Sequence, residues 1–157
     1  MPRKPSYLGL LNAVAVAESA AHDYLTAWAN VTTDPEVRKV LLTVAAREGE
    51  HGMTFAKRIN ELGYEVRPKP DPKAAGRLKF LRSSRSDLEK LARLGYDRQP
   101  ASDAPDVFDG FFRDHTIDIA TGELLGRYIA EERDSGRQLR GLYRKLARRA
   151  SKAGAAA

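Results

Sequence analysis

A helical seam interrupted by acid constrains this chain more than any other feature. Reading from Val37 in alternating steps of four and three gives Val37, Leu41, Val44, Glu48, His51, Phe55, Arg58 and Leu62. An apolar stripe with this period marks a helix that buries one face. Up to Phe55 only Glu48 and His51 break the stripe, and they stand one turn apart on the same face. An unpaired buried carboxylate costs several kcal/mol, whereas a leucine there would gain about 1.5–3 kcal/mol. Something must compensate: a metal ion, a private hydrogen-bond network, or water.

The preceding segment supplies a partner. A helix is expected from Ser6 to Asn30, with the seam Leu11, Val14, Glu18, Ala21, Leu25 and Trp28, in which Glu18 is the single charge. Asp34 is a good N-cap, Pro35 a good first helical residue and Gly63 a good terminator, so the second helix is expected over Pro35–Leu62. The short connection makes the two helices antiparallel. Glu18 lies about 12 residues before the connection and Glu48 about 13 after its end, so counting places both at one height, with His51 beside them. His22 flanks the same face and His115 follows an aromatic run, but both are weaker ligand candidates, better read as structural or exposed.

The 157 residues suit one domain able to bury a real core. It divides into a first hairpin over 6–63, a crossover with a short third helix over 64–105, and a second half over 106–150 ending in a basic helix. Cysteine is absent, which excludes disulfides, thiolate metal sites and cysteine nucleophiles, and fits a cytoplasmic protein. No apolar stretch approaches the roughly 18 residues of a membrane span, and the N-terminus does not read as a signal peptide. Pro68, Pro70 and Pro72 mark the crossover, Ser86-Asp87-Leu88-Glu89 is a capping box, Gly95 ends a helix, and Gln99–Pro105 is a linker. Val107, Phe108, Phe111, Phe112 and Ile119 stand at helical spacing and are expected to pack in the core.

The last helix, expected from Thr121 towards Arg149, has the seam Leu125, Tyr128, Glu132, Ser135, Leu139, Leu142 and Leu146. It repeats the second helix at an offset of 84 positions: Glu132 answers Glu48 and Ser135 answers His51. Leu41 likewise answers to Leu125, Ala46 to Ala130 and Phe55 to Leu139. This is the pattern of a degenerate internal repeat of a helical hairpin.

On these residues the chain resembles the ferritin-like superfamily of the rubrerythrin and bacterioferritin type, over Leu8–Gly63 and partly over Thr121–Leu146. The resemblance implies an all-α fold: a ferritin-like four-helix bundle of two antiparallel hairpins joined by a long crossover. It also implies a di-iron centre held by one Glu from each of two helices and a Glu-x-x-His from each of the others. Glu18 matches the lone Glu of the first helix, Glu48 and His51 the first Glu-x-x-His, and Glu132 the Glu of the second. The implied activity is that of an iron-dependent oxidoreductase, a ferroxidase or a reducer of dioxygen or peroxide. The 30-residue separation of Glu18 and Glu48 is also similar to that in encapsulated ferritins, whose two-helix chains complete the site by dimerising.

The departures are specific. Ser135 stands where the second histidine belongs, and neither Glu89 nor Glu123 lies on a seam that would supply a third-helix Glu. The site therefore holds one metal, or two completed by a homodimer partner, or has lost its metal altogether. Mixed carboxylate and imidazole ligation suits iron, manganese or zinc. A different reading starts from Arg133, Arg137, Arg140, Arg144, Lys145, Arg148, Arg149 and Lys152. It makes the chain a metal-free helical interaction module whose basic last helix binds an acidic partner or nucleic acid.

Overall fold

The structure, a computed structural model, describes residues 3–100 and 106–156. Those residues form α1 (Leu8–Ala29), α2 (Pro35–Glu61), α3 (Ala74–Leu81), α4 (Asp87–Arg93) and α5 (Ile119–Ala155), with a short 3-10 turn at Asp109–Arg113. Among the described residues there is no strand, so the fold is all-α. No helix is long and apolar enough to cross a membrane. Of the linker expected at Gln99–Pro105, positions 101–105 lie outside the described residues.

Local chemistry accounts for the helix limits. Asp34 caps α2 by accepting from the amides of Glu36 and Val37, with Pro35 behind it. Gly63 and Gly95 carry φ of +84° and +90° at the ends of α2 and α4, a backbone state that glycine adopts without a Cβ clash. Ser86 and Glu89 close a full capping box on α4. The first helix begins at Leu8 rather than Ser6, because the Ser6 hydroxyl is given to Asp114 at 2.5 Å instead of capping a helix. The last helix begins earlier than Thr121, because Asp118 accepts from the Thr121 amide as the N-cap. It also runs past Arg149 through an alanine-rich tail to Ala155.

Helices α1 and α2 are antiparallel: Arg38 reaches the carbonyl of Ala29, Ala45 meets His22, and Gly52 meets Ser19. A Cβ at Gly52 would fall 2.5 Å from the Ser19 hydroxyl, so that crossing needs glycine. Helix α5 also runs antiparallel to α2, with Arg58 on Asp118, His51 on Glu131 and Lys145 on Glu36. Helices α3 and α4 cover one end of this trio, held there by Asp87, which accepts from the Trp28 indole at 2.7 Å and the Thr32 hydroxyl at 2.6 Å.

The core falls into two apolar clusters. One gathers Leu25, Trp28, Val37, Leu41, Val44, Leu81, Leu91, Leu139 and Leu142. The other gathers Leu11, Val14, Phe55, Ile59, Leu125, Tyr128 and Ile129 at the opposite end. The 84-residue echo survives in burial: Leu41 and Leu125 are buried, as are Phe55 and Leu139, while Ala46 and Ala130 are both exposed.

The aromatic run after position 106 departs from the core packing expected of it. Phe108 and Phe111 lean on the second cluster, but Val107, Phe112 and Ile119 are exposed. The reason is the 3-10 turn. With three residues per turn, positions 108 and 111 eclipse on one face while 112 turns away.

Asp118 is the hub of the α1–α2–α5 junction. It accepts from the Tyr7 hydroxyl at 2.5 Å, the Arg58 guanidinium at 2.9 Å, and the amide and hydroxyl of Thr121. Desolvation opposes its charge, but the hydrogen bonds from Tyr7 and Thr121 and the charge of Arg58 prevail and hold its pKa well below the carboxylate range. A depressed folded pKa stabilises above the unfolded value near 3.9 and is lost as pH falls through the folded value. Asp118→Ala should therefore cost about 1–2 kcal/mol at neutral pH, and the gap to wild type in urea melts should narrow from about pH 4 downward.

Candidate metal centre

Between the two apolar clusters lies one polar layer. Glu18 comes from the middle of α1, Glu48 and His51 from α2, and Glu132 from α5. Each offers one ligand atom, and these four atoms all lie within 4.8 Å of one another. Glu18, Glu48 and His51 are buried and Glu132 is half-buried. The residues singled out from the seams thus converge.

The remaining polar contacts fix the layer. His51 Nδ1 faces the cluster, 3.3 Å from Glu18 Oε2 and 3.7 Å from Glu132 Oε1. Its other nitrogen, Nε2, donates to Glu131 at 2.6 Å. Tyr128 packs edge-on against the imidazole, with ring centres 5.0 Å apart, and its hydroxyl donates to Glu18 Oε1 at 3.3 Å. Glu132 Oε1 is buried and has no hydrogen-bond partner among the described residues.

Charges so close cannot all keep their ordinary values. Burial pushes Glu48 up, and a hydrogen bond towards Glu18 and the charges of Glu132 and Glu18 add to it, reaching about 10. Burial also raises Glu132, helped by the charge of Glu18. Glu18 moves the other way: burial opposes its charge, but hydrogen bonds from His51 and Glu48 and the His51 charge lower it. Burial works against the imidazolium of His51, yet hydrogen bonds to Glu18 and Glu131 lift it above its usual value. Burial and mutual repulsion thus favour the protonated form of Glu48, while the contacts between His51 and Glu18 favour the charged forms of both.

Searches against protein-family models, curated proteins and solved structures returned no match.

Two residues of this site lie off the seams. The step from Tyr128 to Ser135 runs through either 131 or 132, and the seam with Glu132 leaves Glu131 out. Both glutamates face inward, one into the cluster and one onto the far side of His51. Arg47 is the second. Its guanidinium donates to Asp134 at 2.7 Å and to Ser135 at 3.2 Å, so Ser135 sits beside a cation. The weaker candidates fall away as expected of them: His22 donates Nδ1–H to the Ala45 carbonyl at 2.7 Å against Gly49, and His115 is exposed.

A cavity of about 280 Å³ opens over the carboxylates. Ala17, Ala21, Tyr24, Leu94, Tyr96 and Gly136 line it together with Glu18, Glu48 and Glu132. It exists because α3 and α4 are only 8 and 7 residues long and leave part of α1 and α5 unbridged.

The layer is built at a cost to the fold. Glu48→Leu removes a buried carboxylate and the crowding around it, so the metal-free protein should gain about 1–3 kcal/mol in denaturant melts. A lower midpoint than wild type would contradict this account of the layer.

Proposed function

We propose that the chain is a ferritin-like metalloprotein that binds one transition-metal ion per chain, iron first, through Glu18, Glu48, His51 and Glu132. The observation carrying this reading is the convergence of four ligand atoms within 4.8 Å, between two apolar clusters of the core. The orphaned Glu132 Oε1 adds to it, since buried oxygens usually find a partner. Three oxygens and one imidazole nitrogen suit iron or manganese, and zinc fits less strictly.

The surroundings fit a metal ligand. A ligating histidine commonly gives its second N–H to a carboxylate, which fixes the tautomer and leaves the other nitrogen free to bind. Glu131 makes that contact to His51 Nε2 and leaves Nδ1 facing the cluster. Within the ferritin-like reading, α1, α2 and α5 are three of the bundle helices, and the broken pair α3–α4 stands for the remaining one.

One ion is preferred over two. The second position would need a donor at Ser135, and there the Arg47 guanidinium supplies a positive charge instead. Bound iron would supply one-electron chemistry towards dioxygen or peroxide. The chain's own residues would bind and orient: Glu131 holds the imidazole, Tyr128 places a proton donor at Glu18, and the apolar clusters exclude bulk water. The cavity beside Tyr24 and Tyr96 is the side from which a small molecule reaches the carboxylates.

Metal analysis of protein purified from iron-replete cells tests the reading. About one equivalent of iron per chain is expected, and none above background in Glu48→Ala or His51→Ala that remain helical by circular dichroism. Less than roughly a tenth of an equivalent of any transition metal in the wild type would refute it. Glu131→Gln should weaken metal binding by about 10–100-fold without changing the stoichiometry, measured by competition with a chelator.

A further inference from the structure

The formal charge of +6 conceals a strong segregation. Residues 67–98 hold ten Lys or Arg against four Asp or Glu, and residues 133–157 hold eight against one. The rest of the chain holds nine against sixteen. The fold joins the two basic segments, because α4 packs on α5 through Leu91, Leu139 and Leu142. Arg67 is bonded to Asn12 near the start of α1, so it is the part of the segment from α3 onward that shares one basic end with the second half of α5.

Part of that charge is used internally. Lys145 and Arg149 pair with Glu36, and Arg149 also with Asp34, at the start of α2; Arg133 pairs with Asp106. Arg140, Arg144 and Arg148 make no ion pair among the described residues, nor do Lys73 and Arg93. With Arg137 they form an arginine stripe on the side of α5 away from Leu139 and Leu142. The helix dipole does not account for it. Dipole effects fade within the last turn, and Arg140 is about four turns from the helix end at Ala155.

The stripe continues into a groove. Arg140 folds back against Gly136, which lines the cavity together with Tyr96 and Leu94, and Leu94 also lines a groove of about 490 Å³ along α3. That groove is bounded by Lys73, Arg77, Phe80 and Arg93, with the Arg93 guanidinium stacked 5.5 Å over the Phe80 ring.

We propose that this basic end is a docking surface for the phosphate backbone of nucleic acid, with Arg140, Arg144 and Arg148 on α5 and Lys73 and Arg93 in the α3–α4 groove making the contacts. Guanidinium groups match phosphate oxygens in pairs, and the stripe from Arg137 to Arg148 spans about 16 Å, the axial length of four to five base pairs of duplex. A membrane or a protein partner would call for exposed apolar anchors. Of the exposed large apolar side chains, Met53, Val107, Phe112 and Ile119 lie away from α3, α4 and the second half of α5, and the two at that end of the hairpin, Val31 and Leu42, stand on α2 and its approach and not on the basic helices. The proposal is independent of the metal centre.

The test is fluorescence anisotropy of the full-length protein with a labelled duplex DNA of about 24 base pairs, titrated from roughly 50 to 200 mM salt. Log affinity should fall linearly with log salt, with a slope near −4.5 for about five contacts. The combined Arg140→Ala, Arg144→Ala, Arg148→Ala variant should lower affinity at least tenfold and reduce that slope by about 3. Lys57→Ala with Arg113→Ala, at the opposite end, should bind within twofold of wild type. Circular dichroism confirms that each variant is folded. Absence of binding at the lowest salt, an arginine variant indistinguishable from wild type, or tighter binding to phosphatidylglycerol vesicles than to DNA would overturn the proposal.

Discussion

Three carboxylates and an imidazole share one layer in the middle of an apolar core, and most of the structure answers to that crowding. Two hydrophobic clusters flank the layer, so Glu18 and Glu48 are buried and meet solvent only through the cavity above them. The helices must come close for the side chains to meet, and Gly49 and Gly52 let α1 approach α2 at this height. Once assembled, the layer is tolerable only because charge is neutralised locally. Glu48 takes a proton, His51 sits between Glu18 and Glu131, and Tyr128 donates to Glu18. Buried ionic groups seldom improve on leucine in stability, so the layer is not there to strengthen the fold.

Much of this arrangement could be read from the chain. The seam of α2, the Asp34–Pro35 start, the Gly63 stop and the height match between Glu18 and Glu48 all depend on local chemistry and helical rise. Those rules hold wherever a helix is long. They fail where the backbone leaves the α-helical period. The stretch from Val107 to Phe112 had apolar residues at helical spacing but folded as a 3-10 turn, which kept Phe108 and Phe111 inward and released Phe112 to solvent. The breadth of the inward face of α5 was also hidden. A stripe read in threes and fours admits either Glu131 or Glu132, and only the packing of α2 shows that both are used.

The two positions related by the 84-residue offset differ in chemistry. At one, His51 has the carboxylate Glu131 behind it. At the other, Ser135 has the Arg47 guanidinium beside it. Arg47 has a structural use, pairing with Asp134 and tying α2 to α5. Its charge also lies close enough to Glu132 to offset part of the burial that raises that carboxyl group. The cluster therefore has a single nitrogen donor, His51, and a cation beside Ser135.

Access follows from the same asymmetry of helix length. A continuous helix opposite α2 would fill the space between α1 and α5 with side chains. Here the segment breaks at Ser83–Arg85 into two short helices, and Lys90 is buried with its ammonium on the Ser83 carbonyl at 2.8 Å to hold the break closed. What remains over the carboxylates is a cavity of about 280 Å³. With liquid water occupying about 30 Å³ per molecule, that space admits several waters or one small solute, but no folded partner. Ala17, Ala21 and Gly136 keep it open by their size, whereas Tyr24, Leu94 and Tyr96 set its walls. Enlarging any of those three small residues would close the approach while leaving Glu18, Glu48, His51 and Glu132 untouched, so the route to the layer and the layer itself are separable features of the fold.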